Sequence, residues 1–157
     1  MTDEVRLETA TDADIDRLMS LEREAFSHPW TEASVLRELY DKDSLFLVAK
    51  QYDNAQAEPQ ILGFAITRMG EDYAELLQIA VSESARRRGI ASLLLTETLN
   101  RVSARAIPRV LLETRVSNDG AIALYERFGF RRIATRRGYY DAPVEDAAIF
   151  QLKVTQC

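Results

Sequence analysis

One cysteine and one histidine in 157 residues remove whole classes of chemistry. A disulfide framework needs a set of paired cysteines, and a structural zinc site needs about four Cys or His ligands, so no metal is expected. Cys157 is the last residue, on an expected mobile tail, which argues against covalent catalysis through a thiol. Long apolar runs are missing as well: nothing approaches the roughly 18 residues of a membrane span. The start "MTDEVRLE" is acidic and lacks the basic-then-apolar layout of a secretory leader. There are no repeats, low-complexity stretches or linkers. A single domain over residues 1–157 in the cytoplasm is the expectation, with enough chain to bury a core without staples. The formal net charge of −5 argues against direct nucleic-acid binding and favours a cationic partner.

What the chain does contain is ordered hydrophobic periodicity. "VRLET" (5–9) alternates as a strand. Thr11 is positioned to cap a helix whose face is Ile15, Leu18, Leu21, Ala25 and Phe26. "SHPW" (27–30) breaks it, and Thr31 caps a shorter helix to about Tyr40. "SLFLVAK" (44–50), "ILGFAITRM" (61–69) and "AELLQIAV" (74–81) read as an antiparallel meander, with "YDNAQAEPQ" as a polar loop and "GEDY" as a tight turn. Gly89 begins a helix to about Ala106, with Ile90, Leu93, Leu94 and Val102 on its stripe, and Pro108 ends it. "RVLLETRV" (109–116) is a strand. Ser117 or Asn118 caps the next helix, whose face is Ala121, Leu124, Tyr125 and Phe128. Gly129 supplies its left-handed end. "FRRIATRRG" and "DAAIFQLKV" close an α/β fold with a mixed sheet.

The stretch "SARRRGIASLLL" (84–95) concentrates positive charge at a strand-to-helix junction. The first N–H groups of a helix lack intrahelical partners and carry the positive end of its dipole. Gly89 and Ala91 leave room for an anion to approach that backbone, and arginine adds charge-assisted hydrogen bonds to phosphate. No Gly-Lys-Ser/Thr follows, so this is no Walker loop. The other glycines of a dinucleotide fingerprint are missing too.

This cradle, of the form Arg or Gln, two residues, Gly, one residue, Gly or Ala, resembles the acetyl-CoA signature of the GNAT acetyltransferases. "HPWTEASVL", "FAIT", "IAV", "LLETRVSNDGAIALYERFGF" and "RRGYYDAPVEDAAIF" are similar to the RimI-type ribosomal-protein-alanine N-acetyltransferases, over roughly residues 26–151. Two departures stand out: "SES" replaces a proline often found after the "IAV" strand, and Ala91 replaces the commoner glycine. The resemblance implies a GNAT fold: a mixed, mostly antiparallel sheet flanked by helices, with strands splayed around the acetyl-CoA arm. It implies that Arg86, Arg87, Arg88, Gly89, Ile90, Ala91 and Ser92 meet the phosphates of acetyl-CoA. Ile79, Ala80 and Val81 would offer backbone groups to the pantetheine arm, one N–H polarising the acetyl carbonyl. Asn118, a cap in its own right, would also bond that arm.

Acetyl transfer from a thioester to an amine needs the amine deprotonated, the oxyanion stabilised and the departing thiolate protonated. A terminal amine, with a pKa of about 7.7–8.0, needs only a modest base. Glu113 lies inside the apolar strand "VLLETRV", where desolvation would raise its pKa into the useful range. The bland alternative is a pair with Arg109 or Arg115, or exposure to solvent. Tyr125 falls on the apolar stripe of its helix, so it is a core residue whose hydroxyl could also reach the sulfur. The resemblance makes Glu113 the proton acceptor and Tyr125 the donor. Trp30, Tyr139 and Tyr140 are expected walls of a peptide site or, in the bland alternative, hydrophobic caps of the sheet. His28 is expected to be a loop residue. "RRIATRR" (131–137) reads as a solvated strand face that could add attraction for the adenosine 3′-phosphate.

The expected function is transfer of acetyl from acetyl-CoA to the N-terminal alanine of a small-subunit ribosomal protein, directly in a ternary complex. The basic N-terminus of such a protein suits the negative balance. The alternatives are the same fold acting on a lysine side chain, another protein terminus or a small amine, and an inert acyl-CoA-binding or RNA-associated module.

Overall fold

A computed structural model describes residues 4–53 and 58–154; Cys157 and the centre of the 52–60 loop lie outside them. The strands are β1 (Glu4–Thr9), β2 (Ser44–Tyr52), β3 (Gln60–Met69), β4 (Ala74–Val81), β5 (Arg109–Arg115), β6 (Arg131–Tyr140) and β7 (Glu145–Lys153). The helices are α1 (Ile15–Ala25), α2 (Glu32–Tyr40), α3 (Ile90–Ala104) and α4 (Asp119–Arg127). One sheet runs β1-β2-β3-β4-β5-β7-β6, antiparallel everywhere except between β4 and β5.

Both faces of β2 and β3 are covered, which is why their sequences run apolar without alternation. On one face α3 packs through Ile90, Leu94, Leu95 and Val102 onto Leu47, Ala49, Leu62, Leu76 and Leu112. On the other, Leu18, Leu21 and Val35 of α1 and α2 meet Phe46, Val48, Phe64 and Ile66. Leu94 is fully buried, so Leu94→Ala should cost about 2–5 kcal/mol. Leu93, expected on that stripe, is 45% exposed. The buried line steps by four through Ile90, Leu94, Thr98 and Val102, and Leu95 takes the place assigned to Leu93.

Local chemistry sets the ends. Thr31 caps α2, accepting from the Ser34 N–H at 3.2 Å. Thr11 opens a single 3-10 turn (Asp12–Asp14) before α1 rather than α1 itself. Its N–H donates to the Asp14 carboxylate at 2.9 Å, which holds the tighter turn for one step. α3 starts at Ile90, with Gly89 as the residue before it.

The feature that makes a site is where the sheet opens. β4 and β5 pair only at Ala74–Val110, Glu75–Leu111 and Leu76–Leu112, then part. The register of β3 on β4 slips there: Thr67 faces Leu76 and Ile66 faces Gln78, so Leu77 is an extra residue on β4. Such a bulge bends its strand away from its neighbour.

Candidate active site

Two cavities lie along the gap between β4 and α4. The first, about 240 Å³, is lined by Val81, Arg86, Arg87, Gly89, Ile90, Ala91 and Ser92, with Gly120, Leu124 and Arg127 opposite. Gly89 sits at φ +76°, left-handed, and a Cβ there would meet nothing within 4 Å. The space over the first turn of α3 is open, and its free N–H groups face it. An anionic group fits this cradle. Arg88 is directed elsewhere: its Nη1 donates to Gln51 Oε1 at 3.1 Å, tying the loop to β2. Arg127 is the addition, recoverable from sequence because positions 120, 124 and 127 share one face of α4.

On β4, the Ser82 N–H donates to Leu62 O at 2.7 Å. An antiparallel ladder bonds alternate residues, so Ala80 also turns to β3. The N–H and C=O groups of Ile79 and Val81 point to the opposite edge, into the gap. Of the three expected backbone donors, two have the right direction.

The second cavity, about 260 Å³, gathers Trp30, Gln78, Ile79, Glu113, Arg115, Asn118, Tyr125 and Tyr140 from five separated stretches of chain. Asn118 caps α4, accepting from the Ala121 N–H at 3.3 Å. Tyr125 is 6% exposed, its ring against Phe130 at 5.7 Å and Phe150 at 6.4 Å. Burial, with the nearby Tyr140 phenol, pushes its pKa up to about 12, so it stays protonated throughout the physiological range. Glu113, 22% exposed, pairs with Arg136 at 3.5 Å, not with Arg109 or Arg115. β7 lies between β5 and β6, and the long Arg136 side chain crosses it diagonally.

Arg115 serves the β6–β7 turn. Its guanidinium donates to Pro143 O and Asp141 O, each at 3.0 Å, and to Glu145 Oε1 at 3.3 Å. It also lies over the Tyr140 ring at 4.5 Å. Glu145 in turn accepts from the Ser117 N–H at 2.7 Å, and bonds from Ser117 and Arg115 hold its pKa below the usual carboxylate range. Four steps along β6, from Arg136 to Tyr140, span two steps on β7, a bulge that Gly138 permits with φ +61°. That bulge presents Tyr139 and Tyr140, edge to face at 5.1 Å. Tyr140 lines the cavity; Tyr139, 49% exposed, stands at its rim with Arg136 over its ring. The Glu113 charge raises the Tyr139 pKa, with burial and a Glu113 hydrogen bond adding to it.

Sequence reading missed Glu22, Gln78 and Arg136. A glutamate on the buried stripe of α1 was the available sign for Glu22. His28 is an exposed loop residue beside Ser27, as expected, and β6 is solvent-exposed over almost its whole length. Among the described residues no His, Cys, Asp or Glu group could hold a metal, and no helix is long and apolar enough to cross a membrane.

Residues 15–130 match the Acetyltransferase (GNAT) family. The chain is 33% identical over 144 residues to the [ribosomal protein bS18]-alanine N-acetyltransferase of Salmonella typhimurium, covering 90% of this chain and 93% of that one. It is 35% identical over 137 residues to the protein of the same name from Haemophilus ducreyi, covering 87% and 90%. The crystal structure of the Escherichia coli ribosomal-protein-S18-alanine N-acetyltransferase superposes with a TM-score of 0.86 at 29% identity, over 98% of this chain and 96% of that one.

Proposed function

The chain belongs to the GNAT acetyltransferase family and is an acetyl-CoA-dependent N-acetyltransferase; from that premise we propose that it acetylates the N-terminal alanine of ribosomal protein bS18, in the cytoplasm. The observation that carries this reading is the second cavity. It brings a carboxylate, a protonated phenol, a helix cap and aromatic walls to the point where β4 and β5 part. Relatives at this identity and coverage carry that substrate in their names, and the acidic balance of the chain suits a basic ribosomal terminus.

Acetyl-CoA supplies the thioester whose acetyl group is transferred. The first turn of α3, with Arg86, Arg87 and Arg127, holds the phosphates. The backbone of Ile79 and Val81, with Asn118, lines the path of the pantetheine arm, and one β4 N–H meets the negative charge that develops on the acetyl oxygen. Glu113 accepts the proton of the attacking amine. Its pair with Arg136, more than half exposed, is weak enough to yield to an incoming ammonium. Tyr125 donates its proton to the departing sulfur; desolvation in the same cleft raises the proton affinity of a thiolate, which draws the proton across. Trp30, Tyr139 and Tyr140 enclose the first residues of the peptide. Incubation with acetyl-CoA and peptides differing only in residue one, read by mass spectrometry, tests the acceptor: alanine should lead, and large first residues should fail by clash.

A further inference from the structure

Glu22 of α1 is 0% exposed, and the reaction does not use it. Its Oε1 accepts two hydrogen bonds, from the Trp30 N–H at 2.9 Å and from Gln78 Nε2 at 3.2 Å. Both donors belong to residues that line the acceptor cavity, and Gln78 directly follows the extra residue of the β4 bulge. Its other oxygen, Oε2, is buried without a partner, and so is Oε1 of Gln78. Two acceptors of one bonded pair are thus both short of a donor. An ionised carboxylate leaves both orphaned and buries a charge besides. One proton on Oε2 resolves them together. A neutral acid would donate its O–H to the amide oxygen while the amide N–H donates to the acid carbonyl, as Gln78 Nε2 already does to Oε1. The Trp30 N–H then takes the second lone pair of that carbonyl oxygen.

We propose that Glu22 is a positioning residue which, as a neutral carboxylic acid, locks the Trp30 segment to Gln78 and so fixes one wall of the acceptor cavity. The inference rests on the reading of Trp30 as a wall of the peptide site. The groups acting on Glu22 are neutral, and burial moves its pKa upward against the pull of the two bonds. Glu24, the nearest acid on α1, is turned away, to Arg17, Ser82 and the Glu83 N–H. A neutral acid also suits the site: a buried negative charge beside the cavity would compete with Glu113 for the amine's proton.

The test pairs spectroscopy with kinetics. Isotope-edited infrared spectra of the whole protein at neutral pH should show a protonated-carboxyl stretch that Glu22→Gln removes. With an N-terminal alanine peptide, Glu22→Ala should raise the peptide KM by about tenfold or more, through loss of the hydrogen bonds that hold Trp30. The KM for acetyl-CoA should not move. Glu22→Gln, which keeps the shape and offers an N–H in place of the O–H, should restore the peptide KM to near wild type. If Glu22→Ala does not fold, Glu22→Met fills the space without the bonds and takes its place. An ionised carboxylate in the spectrum, or a Glu22→Gln protein as impaired as Glu22→Ala, overturns the proposal. A wild-type protein that ignores the alanine peptide refutes the substrate reading instead, and the infrared band still decides the state of Glu22.

Discussion

The two cavities flanking α4 are close in volume and opposite in construction. The cradle takes most of its lining from one run of chain, Val81 to Ser92, and the groups it presents are the start of the α3 backbone and arginine side chains. The acceptor cleft draws side chains from the 26–30 stretch that follows α1, from β4, from β5 and the turn after it, from α4 and from the end of β6. Several are braced by other side chains, Tyr125 by Phe130 and Phe150 and Arg115 by Glu145. A contiguous backbone site depends on the conformation of a few residues and tolerates most side-chain changes. A cleft assembled from distant side chains depends on every element that positions them. The first should fail through backbone strain, the second through loss of single functional groups.

The largest effect is expected at the carboxylate of the cleft. Glu113→Gln keeps size and polarity but cannot accept the amine's proton, so kcat/KM should fall by roughly 10³-fold, with acetyl-CoA affinity unchanged. Calorimetry and steady-state rates on the same sample separate the two. Next comes Tyr125→Phe, which retains the packing against Phe130 and Phe150. Turnover should drop by about 100-fold or more, while unfolding free energy moves by less than about 1.5 kcal/mol. A variant that melts early yet turns over normally would make Tyr125 a core residue and nothing more.

The cradle should respond more mildly and in a different parameter. A Cβ at Gly89 meets nothing within 4 Å, but Gly89→Val forces a β-branched residue into a left-handed conformation at a cost of about 1–3 kcal/mol. Relaxation of that strain should tilt the first turn of α3 and weaken acetyl-CoA binding by about tenfold. Unchanged affinity would mean that phosphate does not sit there. Arg115→Ala releases the β6–β7 turn and should raise the peptide KM by about fivefold at constant acetyl-CoA KM.

The smallest effect at neutral pH concerns the Tyr125 proton. Its pKa is about 12 in the fold, against about 10 unfolded. The folded state therefore holds the proton more tightly. The associated stability is complete below pH of about 10 and is lost as pH rises toward about 12. Chemical denaturation across that window should show this loss in the wild type and lack it in Tyr125→Phe.

The same contrast explains what could be read from sequence. Element order, the α2 cap at Thr31 and the turn at Gly89 into α3 are local properties of a few consecutive residues, and each was legible. So was the face of α4, because helical spacing alone joins Ala121, Leu124 and Tyr125. Leu93 was misplaced because a run of three leucines satisfies several helical faces at once. The partner of Glu113 was not legible at all. Arg109 and Arg115 share its strand, but Arg136 reaches it only because β7 inserts between β5 and β6, a pairing that no local pattern encodes. Arg88, identical in type to its neighbours, turns to β2 between the left-handed Arg87 and Gly89, and nothing in the run of three arginines marks which one does so. The Glu22–Gln78 pair joins residues 56 apart, and only the single glutamate on an apolar stripe hinted at it.

The central claim is that this cleft serves a terminal amine. That amine has a pKa about two to three units below that of a lysine, and a peptide group one carbon away. The direct measurement uses one peptide that begins with alanine and carries internal lysines, with its terminus free or blocked, incubated with acetyl-CoA and mapped by mass spectrometry. The account predicts a single acetyl group on the free terminus and none on the blocked peptide, although its lysines remain available. Acetylation of the blocked peptide at the rate of the free one would contradict it.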